Sequence, residues 1–314
     1  MKRFLTLALA VLMLCTVLVG CGNAEDKAYT MASGGTGGTY YGAMVGLAGV
    51  YDTKTSLKIN VDVTGASKAN IQLVASGEAD FAIVQNDVMQ YAYTGTDLFA
   101  DTGKIDNFRT VAGIYAEVCQ IIGTPDIKTV ADLKGKVVSI GAAGSGVEFN
   151  ALQILEAYGL SKADITVVNA DFNNSVTKYK DGDIDAFFVT AGAPTTAITD
   201  LSVSGREYAI IGIDDEHAAA LSAKYGFYSK YNIPAGTYGN AEDVQTVAVK
   251  ATIICAADLD EDVVYEFTKA LFDNKTELVA AHNKFANIDL DYAQNDIGDT
   301  PFHAGAARYY NEVK

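Results

Sequence analysis

Two stretches far apart in the chain follow one pattern. "LVASGEADFAIVQND" (73–87) and "YKDGDIDAFFVTAG" (179–192) each pass a glycine, an acidic residue and an aspartate, then enter a continuous apolar run. A short run with no polar alternation suits a strand buried on both faces, as in a parallel sheet. The glycine before it suits the end of the helix that crosses over to that strand. Two such units in 314 residues, more than one ordinary domain holds, imply two α/β lobes with mainly parallel sheets. Further strands are expected in "AYTMAS", in "LKINVDVTG" with Leu57, Ile59, Val61 and Val63 on one face, in "FRTVAGIYAEVCQIIGT" and in "KVVSIGAA". Helices are expected in "TYYGAMVGLAGVYDT", "SKANIQLVASGEA", "GVEFNALQILEAYGL", "DDEHAAALSAKYG" and "ADLDEDVVYEFTKALFDN". In the last of these, Asp258 is placed to cap and Glu261 follows three positions later.

Between strand and helix the chain twice becomes rich in glycine, at "MASGGTGGTYYG" (31–42) and "SIGAAGSGVEFN" (139–150). Neither run is a dinucleotide fingerprint: the third glycine of G-x-G-x-x-G falls on Tyr40 in one and Phe149 in the other, and no phosphate loop with G-K-[ST] occurs. What remains is the chemistry beneath those motifs. Glycine lets a ligand approach the backbone, and the free N–H groups of a first helical turn attract negative charge. One such turn per lobe can grip one anion from both sides. Gln85 and Asn86 stand at the carboxyl end of a strand, where open α/β sheets place ligand contacts. Gly192, Pro194 and Thr195 follow the matching strand, with Pro194 suited to a first helical turn. Catalytic signals are thin. Ser145 has Ala143 where a nucleophile elbow needs glycine, and His217, His282 and His303 are isolated. No metal site and no cofactor is expected, and the chain reads as a binder rather than an enzyme.

The N-terminus has its own logic. "MKRFLTLALAVLMLCTVLVGC" opens on Lys2 and Arg3, continues through an apolar stretch and closes on Leu18-Val19-Gly20-Cys21, which resembles a bacterial lipobox. Residues 1–20 are therefore expected to be a lipoprotein signal peptide, Cys21 to carry the lipid, and 21–28 to be a tether. The formal charge is −16, and losing Lys2 and Arg3 with no acid makes it −18. So acidic a protein repels phosphate backbones, which excludes nucleic acid as a partner and leaves the lipid alone to hold the membrane. Cys119 and Cys255 then remain, as buried thiols or as a disulfide.

Taken together, "GGTGGTYYG", "TGASKANIQLVASGEADFAIVQND", "DLKGKVVSIGAAGSGVEFNALQILEAYGL", "DGDIDAFFVTAGAPT", "YNIPAGTYGN", "DLDEDVVYEFTKALFDN" and "PFHAGAARYY" resemble the TAXI family of TRAP-transporter solute receptors, from about Tyr29 to Tyr310. The resemblance implies a periplasmic-binding-protein type II-like fold, its two lobes joined by a hinge. It also implies extracytoplasmic delivery of a small organic anion, of the glutamate or 2-oxoglutarate class, to TRAP membrane subunits driven by an ion gradient. The site residues it carries over are Gly35, Thr36, Gly38, Tyr40, Gln85, Asn86, Ser145, Gly146, Glu148, Gly192, Pro194 and Thr195. Val147 stands where many relatives have a hydroxyl, so the ligand itself does not carry over. The lobes are expected at 29–118 plus 251–314 and at 119–250, crossing near Cys119 and Cys255. The alternatives are a receptor for an ABC importer, and an extracytoplasmic enzyme using Ser145 or Glu148.

Overall fold

The computed structural model describes residues 28–314. Residues 1–20, expected to be a signal peptide, and Cys21 lie outside them, and Ala28, assigned to the tether, already opens the first strand. Ten strands run as β1 (Ala28–Ala32), β2 (Lys58–Asp62), β3 (Phe81–Gln85), β4 (Phe108–Gly123), β5 (Val137–Ser139), β6 (Thr166–Val168), β7 (Ala186–Ala191), β8 (Ala209–Ile211), β9 (Ser229–Ile233) and β10 (Val244–Ala256). The helices are α1 (Thr39–Lys54), α2 (Ser67–Ser76), α3 (Asn86–Thr94), α4 (Gly146–Ala157), α5 (Phe172–Asp181), α6 (Thr196–Ser202), α7 (Asp215–Tyr225), α8 (Glu261–Asp273), α9 (Lys275–Ala281), α10 (Leu290–Gln294) and α11 (Ala304–Glu312). The strands form one sheet ordered β2-β1-β3-β10-β4-β7-β5-β6, with β8 against β4 and β9 against β10. β1 pairs in parallel with β2 and β3, and β5 in parallel with β6 and β7. Every antiparallel pairing involves β4 or β10, the two long strands.

Those long strands change neighbours part-way. Residues 251–255 of β10 lie beside β3, whereas 244–248 lie beside β9. On β4, residues 118–123 lie beside β7, while its earlier part faces only β10 among the strands. The apolar clusters follow the same boundary. On one side Tyr51 packs edge-on to Phe267 at 5.0 Å, and Phe267 stacks on Phe81 at 4.3 Å, beneath α1 and α8. On the other, Ile154, Leu155, Phe188 and Ile211 close the space between the sheet, α4 and α7. Burial of this kind, at roughly 25 cal/mol per Å² of apolar surface, is what holds each set of helices to its strands. Strand β2, at the sheet's edge, is less covered than its alternation suggests: Leu57 is buried but Val63 is 57% exposed.

Local rules account for most helix limits. Gly77, Gly95, Gly182 and Gly226 end α2, α3, α5 and α7 in left-handed backbone, which glycine adopts without a Cβ penalty. The cap of α8 is Asp260, whose carboxylate accepts from Asp262 N and Val263 N, rather than Asp258. Cys119 and Cys255 are free and buried. Cys255 pairs with Arg109 across the ladder. Cys119 lies ten residues further along β4, about 33 Å away at the rise of a strand, so no disulfide joins them.

Candidate functional site

Five helices begin around one cavity. It has an empty volume of about 380 Å³ and is bordered by the starts of α1 (Gly38, Thr39, Tyr40), α2 (Ala66, Ser67), α3 (Gln85), α4 (Gly146, Val147) and α5 (Phe172). Gly34, Gly35, Glu117, Thr190 and Ala191 complete the wall. An outer basin formed by Thr36, Gly37, Ala142, Ser145, Asp171 and Asn173 shares Gly35, Gly38, Ala66, Val147 and Phe172 with it, and so is its mouth. The first N–H groups of a helix lack intrahelical acceptors and carry a partial positive charge. Five positive dipole ends thus stand at the border of one small cavity, with first-turn N–H groups of α3, α4 and α5 already capped by Asn86, Ser145 and Asp171.

The wall is held by buried hydrogen bonds. Asn70 on α2 donates to the carbonyls of Ser33 and Ile83 at 2.7 Å each, fastening the ends of β1 and β3. Gln85 N donates to Ser67 Oγ at 3.1 Å. Ala66, which precedes α2, has φ 67° and ψ −152°, a conformation almost confined to glycine and therefore held by its surroundings. At the floor, Tyr40 OH donates to Glu117 Oε1, a side chain only 2% exposed. Burial drives the Glu117 carboxyl well above its usual range, outweighing the Tyr40 hydrogen bond that favours the ion. The Tyr40 phenol is likewise driven up, by burial and then by Glu117.

Of the residues singled out in the sequence, Gly35, Gly38, Tyr40, Gln85, Gly146 and Val147 border the cavity, and Thr36 and Ser145 border its mouth. The others are engaged elsewhere. Asn86 receives a hydrogen bond from Lys250 N at 3.0 Å and donates to Asp296 O at 2.8 Å, facing a groove behind the crossing strands. Glu148 accepts from Gly144 N at 2.7 Å and from Lys162 Nζ at 2.9 Å, which pins the second turn. Burial raises the Glu148 carboxyl, but Gly144 N and Lys162 outweigh it and leave the pKa lowered. Gly192 O accepts from Thr39 and Thr195, and Thr195 is tied to Gln120 and Tyr238, so this segment buttresses the first turn. Pro194 lies before the cap residue of α6 rather than in its first turn, after a cis peptide bond. Ser67, Glu117, Thr190 and Phe172 were missed. Glu117 did carry a signal, a lone acid inside the apolar run "GIYAEVCQIIG".

A family model described as NMT1-like matches residues 31–313. The chain belongs to the NMT1-like family. Solved structures similar to this NMT1-like protein include one from Bordetella bronchiseptica RB50, 18% identical, covering 92% of this chain and 81% of that one at a TM-score of 0.53. The GluR0 ligand-binding core from Nostoc punctiforme in complex with L-glutamate is 15% identical, covering 83% and 100% at 0.50. The alkanesulfonate-binding protein SsuA from Xanthomonas axonopodis pv. citri bound to MOPS is 13% identical, covering 91% and 90% at 0.48. The fold is the mixed α/β architecture of periplasmic binding proteins.

In this NMT1-like chain the two sets of helices meet through amides and phenols beside the cavity. Gln85 Nε2 donates to Asn150 Oδ1 at 2.8 Å, and Asn150 Nδ2 donates to Asp87 Oδ2 at 2.8 Å and to Tyr228 OH at 2.9 Å. Tyr228 OH donates to Gln153, whose Nε2 donates to Tyr91 OH at 3.0 Å. Burial pushes Asp87 up to about 6 against the hydrogen bonds from Asn150 and Val88. Among the described residues no group of three or more His, Cys, Asp or Glu is arranged to hold a metal, and no helix is long and apolar enough to cross a membrane.

Proposed function

We propose that the protein is an extracytoplasmic solute receptor that captures a small organic anion in the cavity and delivers it to a TRAP-type transporter driven by an ion gradient. The observation that carries this is the convergence of five helix starts from both sides of the crossing strands on one cavity. The lobes are 29–118 plus 251–314 and 119–250, and closing them over the solute brings Gly35–Tyr40 and Ser145–Val147 together on it. Ligand contacts then come from Gly35, Gly38, Tyr40, Gln85, Gly146 and Val147, with Thr36 and Ser145 at the mouth. Lipid on Cys21 keeps the receptor beside its permease. The TRAP assignment is supported by the motifs shared with TAXI receptors; the absence of an enzymatic role is supported by Ser145, whose Oγ accepts from Glu148 N as a helix cap rather than facing a base.

The test is native mass spectrometry of solute that co-purifies, followed by transport in vesicles carrying the receptor and its permease. One intact small acid per chain and uptake that follows an ion gradient without ATP are expected. Uptake that requires ATP assigns the receptor to an ABC importer, and conversion of the solute makes the protein an enzyme.

A further inference from the structure

The anion-favouring helix starts account for one end of a ligand. The opposite need is set by a buried acid at the cavity floor, where a carboxylate-only ligand would find nothing of opposite charge. Glu117 is 2% exposed and borders the cavity. Its Oε1 is taken by Tyr40 OH, while no hydrogen bond to Oε2 is found among the described residues. Tyr40 from α1 touches it, and the other titratable groups near enough to act on it electrostatically are Tyr115 on its own strand, Asp87 from α3 and Tyr292 from α10. None is a cation, so among the described residues none of these groups neutralises an ionised Glu117. Tyr115 OH is itself buried without a partner.

We propose that Glu117, oriented by Tyr40, is the specificity-determining residue for a protonated amine on the ligand, so that the solute is an amino acid rather than an amine-free organic acid. This deepens the receptor function above and rests on it. The ligand carboxylate sits against the helix starts and its ammonium against Glu117 Oε2. A buried carboxyl without a counter-charge stays protonated, and an arriving ammonium supplies that charge. Glu117 therefore ionises on binding: the acid and the ligand ammonium give a carboxylate–ammonium pair and one proton, which passes to solvent. An acid bearing a 2-oxo group offers no proton to this oxygen and leaves Glu117 neutral.

Calorimetry at pH 7 decides it. Amino acids are titrated beside the 2-oxo acids of matching skeleton: L-glutamate with 2-oxoglutarate, L-alanine with pyruvate, L-leucine with 4-methyl-2-oxovalerate. Each pair is run in two buffers of different ionisation enthalpy. The best amino acid is expected to bind at least ~100-fold tighter than its 2-oxo counterpart, since a site built to satisfy a polar group rejects an analogue lacking it. The buffer dependence is expected to show about one proton released per ligand. In Glu117→Gln, which keeps an acceptor for Tyr40, proton release is lost and the preference drops below ~10-fold. Tyr40→Phe keeps the ring in the core, and is expected to bind several-fold more weakly while still preferring the amine. A 2-oxo acid bound as tightly as its amino partner, or a heat independent of buffer, overturns the amine assignment and leaves the receptor standing. Silence from both panels, together with no small acid co-purifying in native mass spectrometry, overturns the receptor function with it.

Discussion

In the first glycine-rich turn none of Gly34, Gly35, Gly37 and Gly38 has a left-handed backbone, whereas in the second Gly141 (φ 95°) and Gly144 (φ 73°) both do. The first turn instead uses glycine for proximity. A Cβ on Gly37 would fall 2.2 Å from Asn173 Oδ1, and one on Gly38 would fall 3.3 Å from the ring of Phe172, both on the far side of the cavity. The second turn uses it for shape at Gly141 and Gly144, with Val147 also close to Gly141, and for proximity to the other side at Gly146, against Gln85. Two runs that look alike in sequence thus answer to different constraints. One is a surface pressed against a neighbour; the other is a bend fixed by its own backbone and pinned by Glu148.

Substitutions at three of these glycines separate the two roles. Gly146→Ala is expected to do most harm. Its Cβ would lie 1.4 Å from Gln85 Oε1 and 2.9 Å from Val88 Cγ2, and Gln85 is buried and held by Asn150. The halves must part, so ligand affinity should fall ~100-fold or more and stability by about 1–3 kcal/mol. Calorimetry and urea unfolding measure the two, and undiminished affinity would mean that solute is held without this contact. Gly141→Ala forces a side chain into φ 95° with Val147 Cβ at 2.8 Å. Here urea unfolding should show the main loss, about 1–3 kcal/mol, with affinity down only ~10-fold. Equal stability would remove backbone shape as the reason for this glycine. Gly37→Ala should do least. Asn173 is exposed and among the described residues its amide has only a long 3.5 Å bond to Thr36, so it can swing aside. Stability should stay within ~0.5 kcal/mol and affinity fall a few-fold; a large unfolding effect would show that this turn, too, depends on backbone shape.

Much of this was legible beforehand because local pattern and final packing agree. "FAIVQ" and "AFFVTA" are buried strands, and the helices with glycine ends stop where the glycines stand. The start of α3 was not, since it follows β3 at Asn86 without a break, where the sequence placed only the carboxyl end of a strand. The inward acid Glu117 and the outward turn of Asn86 and Glu148 depend on partners such as Tyr40, Lys250 and Lys162, which lie far away in sequence. Spacing along a chain says which face a residue shares, but not which distant group will occupy it.

The pairing of β3 with residues 251–255 of β10 has a consequence for how the protein is made. A ribosome releases Phe81-Ala82-Ile83-Val84-Gln85 long before the segment that covers it. During that interval a strand destined to be wholly buried is an open, apolar edge. Long-range partners of this kind slow folding and leave nascent chains prone to stick to one another. A chaperone that holds the growing polypeptide until its last quarter emerges should therefore matter more to this protein's yield than one that acts on the finished chain.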